Sequence, residues 1–267
     1  MKVQAVFSDI DGTFLNDQHQ MTTDTRESIK KLQSKNIKFA LVSARSPSGI
    51  FPILRKNSFK CPIISYSGAL VMDEDGKIIY EKGMEISIAS EIIEYIKENK
   101  FDLTWNLYSV DNWISQSKND QRVLEEEKIV DAESFEGDIT SLPEGSSVHK
   151  ILCMCNPEKI IEIEKKIERK FPQCAVVKSS DKLLEIMIKG INKAEAVRRL
   201  CEFWNVSIEN AIAFGDNYND IEMLEAVGLG VVMGNAPEEI RRRFAEVTLD
   251  NNHDGIAAAL KKFNVVE

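Results

Sequence analysis

Basic residues are in deficit. The chain has 34 Lys and Arg against 43 Asp and Glu, a net charge of −9 over 267 residues. That balance does not suit a general nucleic-acid binder, which meets phosphates with a cationic surface. A small phosphorylated ligand needs only a local positive site, so that class stays open. Long apolar runs are missing as well. None approaches the roughly 18 residues of a membrane span, so no membrane association is expected. The stretch before Asp9 is too short for a signal-peptide core. Cysteine is scarce: five residues, an odd number in a chain of this length. A disulfide framework is therefore not expected, and a cytoplasmic location is. There is no internal repeat and no low-complexity linker, and nothing in the sequence sets an oligomeric state. What is present is a globular composition, 43% hydrophobic and 29% charged, long enough for one large core or two.

Hydrophobic periodicity divides the chain into thirds. In the first, strands are expected at 3–8, 37–42 and 61–65, helices at 22–36 and 46–57, and a hairpin at 69–80 around an Asp-Glu-Asp-Gly turn. Thr22 or Thr23 would cap the first helix, and Pro47 suits the first turn of the second. The middle third has helical patterns at 86–99 and 158–170. It has strand patterns at 103–108, 112–115, 148–155, 175–177 and 183–188, and a polar, acidic stretch at 118–147 with no assigned element. The last third returns to alternation, with helices at 193–204, 221–227, 237–244 and 255–263. Strands are expected there at 211–214, 230–233 and 246–249.

Strand–helix–strand units imply parallel pairing. The expected fold class is α/β. A Rossmann-like doubly wound parallel sheet is built from 1–83 and 188–267, and an α+β unit is inserted at 84–187. Cys153 and Cys155, with His149 nearby, admit a metal site. A buried strand is the simpler reading, because no second ligand cluster is visible.

Four polar clusters fall at predicted strand or helix ends, where open α/β sheets place their ligand crevice. The first is Asp9-Ile10-Asp11-Gly12-Thr13. Two carboxylates at the end of a buried strand are costly unless something offsets them, and a divalent cation held by oxygen is one answer. Asp9 could attack phosphorus to form an acyl-phosphate, and Asp11 could protonate the leaving oxygen. An ordinary acidic turn or a calcium loop shares the same spacing. The second is Ser43, whose hydroxyl could bond a phosphoryl oxygen or cap the next helix. Arg45 could support a phosphate or pair with an acidic neighbour. The third is Lys193, which opens a helix against the dipole, a hint of a bound anion, unless it is simply solvated. The fourth is Gly215-Asp216-Asn217-Tyr218-Asn219-Asp220. Asp216 and Asp220 could hold magnesium, or be an acidic helix start.

Taken together, Asp9-Ile10-Asp11-Gly12-Thr13, Ser43, Lys193 and Gly215-Asp216-x-x-Asn219-Asp220 resemble the haloacid dehalogenase superfamily, and their order is similar to that of its Cof-type phosphatases with a large α/β cap. Met233-Gly234-Asn235-Ala236 and Asp254-Gly255-Ile256 are similar to the C-terminal signatures of that family. The resemblance implies an enzyme, with Asp9 as nucleophile and Asp11 as general acid/base whose backbone carbonyl touches the metal. It implies phosphoryl binding by Ser43, Ala44 and Lys193, and support from Arg45, Gly68 and Asn219. Asp9, Asp11 and Asp216 would ligate Mg2+, with Asp220 in support, and Thr13 goes with phosphatases and mutases. The implied substrate is a small phosphorylated metabolite, with a phosphomutase, a phosphotransferase or a non-catalytic binding module as alternatives. Two departures stand out: Ser67-Gly68-Ala69 where Asn-Gly-Ala is commoner, and Ser43-Ala44-Arg45 for Thr-Gly-Arg.

Overall fold

A computed structural model describes residues 2–130 and 132–267. In chain order, β1 (Ala5–Asp9), α1 (Thr23–Ser34), β2 (Lys38–Val42), α2 (Pro47–Lys56), β3 (Ile63–Ser65), β4 (Leu70–Met72) and β5 (Ile78–Glu81) come first. Next are α3 (Ile86–Glu98), β6 (Leu103–Ser109), β7 (Asn112–Ser115), α4 (Gln121–Val130) and β8 (Phe135–Glu136), then β9 (Lys150–Cys155), α5 (Ile160–Lys170), β10 (Cys174–Lys178) and β11 (Leu183–Ile188). The chain ends with α6 (Lys193–Phe203), β12 (Ala211–Gly215), α7 (Ile221–Ala226), β13 (Leu229–Val232), α8 (Glu238–Arg243) and α9 (Gly255–Lys262). The chain separates into two compact units. One holds the residues up to Arg45, Ile50–Glu81 and Asn192–Glu267; the other holds Ser46–Gly49 and Lys82–Ile191.

The first unit carries a seven-stranded sheet in the order β13-β12-β1-β2-β3-β4-β5. The five strands from β13 to β3 pair in parallel, and β4 and β5 add an antiparallel hairpin. This is the doubly wound α/β class. Parallel strands covered on both faces read as unbroken apolar runs, and β1 and β12 are buried at every position. One face packs Phe7, Ala40, Val42 and Ala213 against Val197 and Leu200 of α6 and Met223 of α7. α1 packs against β2 and α9. Its side-chain cap is Thr22, which accepts from the Thr25 amide, and Ile29 and Leu32 are buried at helical spacing.

The second unit carries a six-stranded sheet in the order β10-β11-β9-β6-β7-β8, antiparallel apart from β7 with β8. Leu103, Trp105, Leu107, Ile151 and Cys153 alternate onto one face and pack with Ile92 and Ile96 of α3 and Ile163 and Ile167 of α5. Cys153 and Cys155 thus lie in an apolar core, where burial pushes the Cys155 thiol up to about 12. Both lie on β9, which is buried at every position, as the buried-strand reading expects.

Two expectations need correction. The polar stretch at 118–147 contains α4 and β8. α4 buries Val123 alone, so it has almost no apolar stripe. Its start is held by Asp120, whose carboxylate accepts from the Arg122 amide at 2.9 Å and whose carbonyl accepts from Val123 and Leu124. The expected strand at 246–249 is only an isolated bridge, Val247 with Val232, since the partner strand β13 ends at Val232. No helix among the described residues is long and apolar enough to cross a membrane.

Candidate active site

Asp9 is the last residue of β1 and 6% exposed. Register sets its neighbours. Ser8 lies beside Phe214 of β12, and Asp9 lies opposite Val42 of β2. Ser43 and Gly215-Asp216 therefore emerge at the same carboxyl edge, the usual crevice of an open α/β sheet. Beyond Asp9 the chain turns back, with Phe14 N bonded to Asp9 O and Leu15 N to Ile10 O. Gly12 makes this turn possible. Its φ is +77°, and a Cβ there would stand 2.5 Å from Asp216 Oδ2. Thr13 Oγ1 donates to Asp216 Oδ1 at 2.7 Å, so the turn after β1 and the loop after β12 are fixed to one another. This bond was not foreseen from the sequence, where Thr13 figured only as a mark of enzyme class.

Lys193 is the first residue of α6. The Asn192 side chain caps the helix by accepting from the Glu195 amide at 2.8 Å. Lys193 is 1% exposed, and its Nζ lies 2.5 Å from Asp9 Oδ1 and 2.6 Å from Asp220 Oδ1. The opposition of a cation to the helix dipole is thus answered by two carboxylates rather than by solvent. Gly68 sets where this helix begins. At φ +110° it presses so close that a Cβ would meet Asn192 O at 2.3 Å. Asp220 is fully buried, and its second oxygen accepts from the amides of Asp216 and Asn217 at 3.1 and 3.0 Å.

Carboxylate oxygens of Asp9, Asp216 and Asp220 all lie within 4.8 Å of one another. Burial pushes the Asp9 carboxyl well above its ordinary value; Lys193 pulls it back, and Asp220 and Asp216 push it up again. Burial works against a charged Lys193, but Asp9 and Asp220 outweigh it and hold the ammonium above its usual range. Burial pushes Asp216 up to about 6, against the hydrogen bond from Thr13. Three carboxylates thus face one ammonium, leaving two negative charges when all are ionised.

Asp11 stands outside that trio. Its exposed carboxylate is gripped by Arg45, with Nε 2.8 Å from Oδ2 and Nη2 2.7 Å from Oδ1. Of the two roles open to Arg45 in the sequence, the structure shows the acidic neighbour. Ser43 is buried; its amide donates to Ile64 O, and its hydroxyl accepts from the Arg45 amide at 3.2 Å. Ala44 is half-buried between them, and Asn219 is exposed on the single turn Tyr218–Asp220.

A family model for haloacid dehalogenase-like hydrolases matches residues 6–260. A Haemophilus influenzae protein provisionally named a phosphatase is 37% identical over 262 residues, covering 98% of each chain. Phosphatase YwpJ of Bacillus subtilis is 25% identical over 293 residues, covering 98% of this chain and 99% of its own. The crystal structure of a haloacid dehalogenase-like hydrolase from Bacteroides thetaiotaomicron has a TM-score of 0.88 at 28% identity, over 98% of this chain and all of its own. Motif order, sheet topology and these matches agree: the chain belongs to the haloacid dehalogenase-like hydrolases, among their Cof-type members.

Proposed function

We propose that this enzyme is a magnesium-dependent phosphatase of small phosphorylated metabolites, sugar phosphates or similar, working through an aspartyl-phosphate on Asp9. The observation that carries the reading is the buried Asp9–Lys193–Asp220 arrangement with Asp216 alongside. A nucleophilic carboxylate must approach a phosphate dianion, and like charges repel. Lys193 offsets part of that repulsion, and its hold on Oδ1 leaves Oδ2 of Asp9 as the attacking atom. The phosphatase names of two relatives support the same reaction class.

In the first step Asp9 Oδ2 bonds to phosphorus as the ester P–O bond breaks, and Asp11 gives a proton to the departing oxygen. In the second, Asp11 takes a proton from water, the water oxygen bonds to phosphorus, and Asp9 is released with inorganic phosphate. Both Asp11 oxygens accept from Arg45. Each oxygen keeps a second lone pair at which a proton can sit. Ser43 and the Ala44 backbone, at the end of β2, would bind the phosphoryl oxygens with Lys193. Gly68 supports Lys193 through Asn192, and exposed Asn219 would contact substrate.

The residues fit a hard divalent cation. The donors are all carboxylate oxygen, and the two uncompensated negative charges match its charge. Asp9, Asp216 and the Asp11 carbonyl would hold it. Asp220 would support from behind, since both its oxygens are already bonded. Bound magnesium supplies positive charge to the phosphoryl oxygens and the nucleophile.

The test is Asp9→Asn against a panel of sugar phosphates, nucleotides and an aryl phosphate. Turnover should fall by at least ~10³-fold with circular dichroism unchanged. Near-wild-type release of phosphate by the variant would refute the role of Asp9.

A further inference from the structure

Met233-Gly234-Asn235-Ala236 and the segment leading to Asp254-Gly255 take no part in the chemistry above, yet they reach its centre. Asn235 Nδ2 donates to the Gly12 carbonyl at 2.8 Å. The Asn251 amide donates to Asn235 Oδ1 at 3.1 Å, which fixes which end of the Asn235 amide meets Gly12. Asn251 is buried, and its own Nδ2 donates to Leu15 O at 3.1 Å and to Asp17 Oδ1 at 3.0 Å. Two asparagines from the last forty or so residues thus hold the turn that carries Asp11 from both sides.

The other end of the connection is just as firm. Met233 N donates to Gly215 O at 3.0 Å, one residue before Asp216. Asn235 is therefore anchored to the strand end that presents Asp216, while its side chain grips the residue after Asp11. The space it spans is tight, since Gly12 has no room for even a Cβ against Asp216 Oδ2. Thr13 ties the same turn to Asp216 but acts after Gly12. On Gly12 itself, among the hydrogen bonds described, Asn235 provides the side-chain hold.

We infer that Asn235, oriented by Asn251, is a positioning residue that sets the aim of Asp11 relative to Asp9 and Asp216 through the Gly12 carbonyl. The inference rests on the proposed role of Asp11. An alkoxide leaves slowly unless protonated, whereas a nitrophenolate needs little help. Misplacing a general acid by about 1 Å costs up to ~10²-fold, and the loss should follow the demand for a proton.

Asn235→Asp is the discriminating variant. It keeps size and the acceptor for the Asn251 amide but turns a carboxylate oxygen toward Gly12 O, and because Asn235 is exposed the core is untouched. On an alkyl phosphate the first step, measured in single turnover, should slow about 10- to 100-fold with substrate affinity within about twofold. On p-nitrophenyl phosphate the first step, read as the rate of the burst, should be slowed less. A burst of one nitrophenolate per enzyme should precede a slow steady state, because Asp11 is still needed to hydrolyse the intermediate. Equal slowing of the first step on both substrates, or no slowing, overturns the inference. Amide exchange across residues 10–15 gives a readout independent of turnover. It should speed up in the variant, and unchanged exchange also overturns the brace. Failure of the phosphatase reading would show separately, as a wild-type enzyme insensitive to Asp9→Asn.

Discussion

Lys193→Met isolates the electrostatic core of the site. The substitution keeps an unbranched side chain of similar length and removes the ammonium from between Asp9 and Asp220. At an effective dielectric near 20, contacts of 2.5 and 2.6 Å correspond to about 6 to 7 kcal/mol each before desolvation. Desolvation of the three ions offsets much of that. Removing one partner of a buried pair typically leaves a net loss of about 3–5 kcal/mol, because the remaining charge is stranded. Here two carboxylates are stranded together, with side chains 9% and 0% exposed, so the upper end applies. In a chain of this size the melting temperature should drop on the order of 10 °C at neutral pH. The sign with pH is fixed. The ammonium of Lys193 is held above its usual range, so in the wild type its contribution is complete at neutral pH and lost only in strong alkali. In the variant Asp9 loses the pull that lowers it and rises further from 3.8. A carboxyl raised on folding takes up a proton, so the deficit is largest at neutral pH and shrinks as pH falls toward the unfolded value. Thermal unfolding monitored by circular dichroism from about pH 4 to 7.5, with and without magnesium, is the assay. The cation should raise the melting temperature of the variant more than that of the wild type. A loss under about 1 kcal/mol at neutral pH, or a deficit that ignores pH, would refute the reasoning.

Chelation should abolish turnover and magnesium restore it. Apparent magnesium affinity, measured by calorimetry, should fall once pH drops below about 6, where Asp216 takes up a proton. In the metal-free protein the raised Asp216 adds stability as pH falls from about 6 toward 3.8, the reverse of a salt-bridged carboxylate. A pH-independent affinity would argue against Asp216 as a ligand. Gly68→Ala should cost about 2 kcal/mol or more and depress kcat, since a Cβ 2.3 Å from Asn192 O must displace the start of α6 and with it Lys193. Unchanged unfolding and kinetics would show that the loop yields freely. Asp120→Ala should destabilise the second unit by about 2–3 kcal/mol through loss of the α4 start and of the bonds from Arg122 and Thr104. The Arg122 guanidinium, ahead of Thr104, holds Asp120 well below the usual carboxylate range. Its contribution is present above its unfolded value of 3.8 and is lost as pH falls through the lower folded value. Urea unfolding at neutral and acid pH measures both.

How much of this could be read from residues alone depends on the range of the interactions. β1 and its acidic end were legible because an apolar run closed by Asp-x-Asp-Gly is expensive without a ligand, and the cost itself is the signal. α1 was legible because its Thr22 cap and the Ile29–Leu32 pair lie within one helix. α4 was not, because its supports lie outside it: Thr104 bonds Asp120 across 16 residues and Val123 alone is buried. The strand expected at 246–249 failed for a related reason. Alternation there is real, but the partner strand β13 ends at Val232, and no local pattern in 246–249 encodes where a partner ends.

The same distinction runs through the site. Residue types at strand ends pointed to Asp9, Asp216 and Lys193, since each carries a penalty in isolation. The family resemblance grouped them in one site, but no local pattern showed the contacts themselves: Lys193 reaches Asp9 across 184 positions and Asp220 across 27, and Thr13 reaches Asp216 across 203. Asn235 and Asn251 carry no such penalty. An asparagine in a turn is unremarkable, so nothing in its chemistry announces that it holds Gly12 or Leu15 more than 200 positions away. Groups that are costly when unpartnered announce themselves, whereas groups that merely hold others in place are found only once parallel pairing of β12, β1 and β2 brings both ends of the chain to one sheet edge. Substitutions at the first kind should therefore change which ions and protons the site binds, and at the second kind the aim of groups whose charge is unchanged.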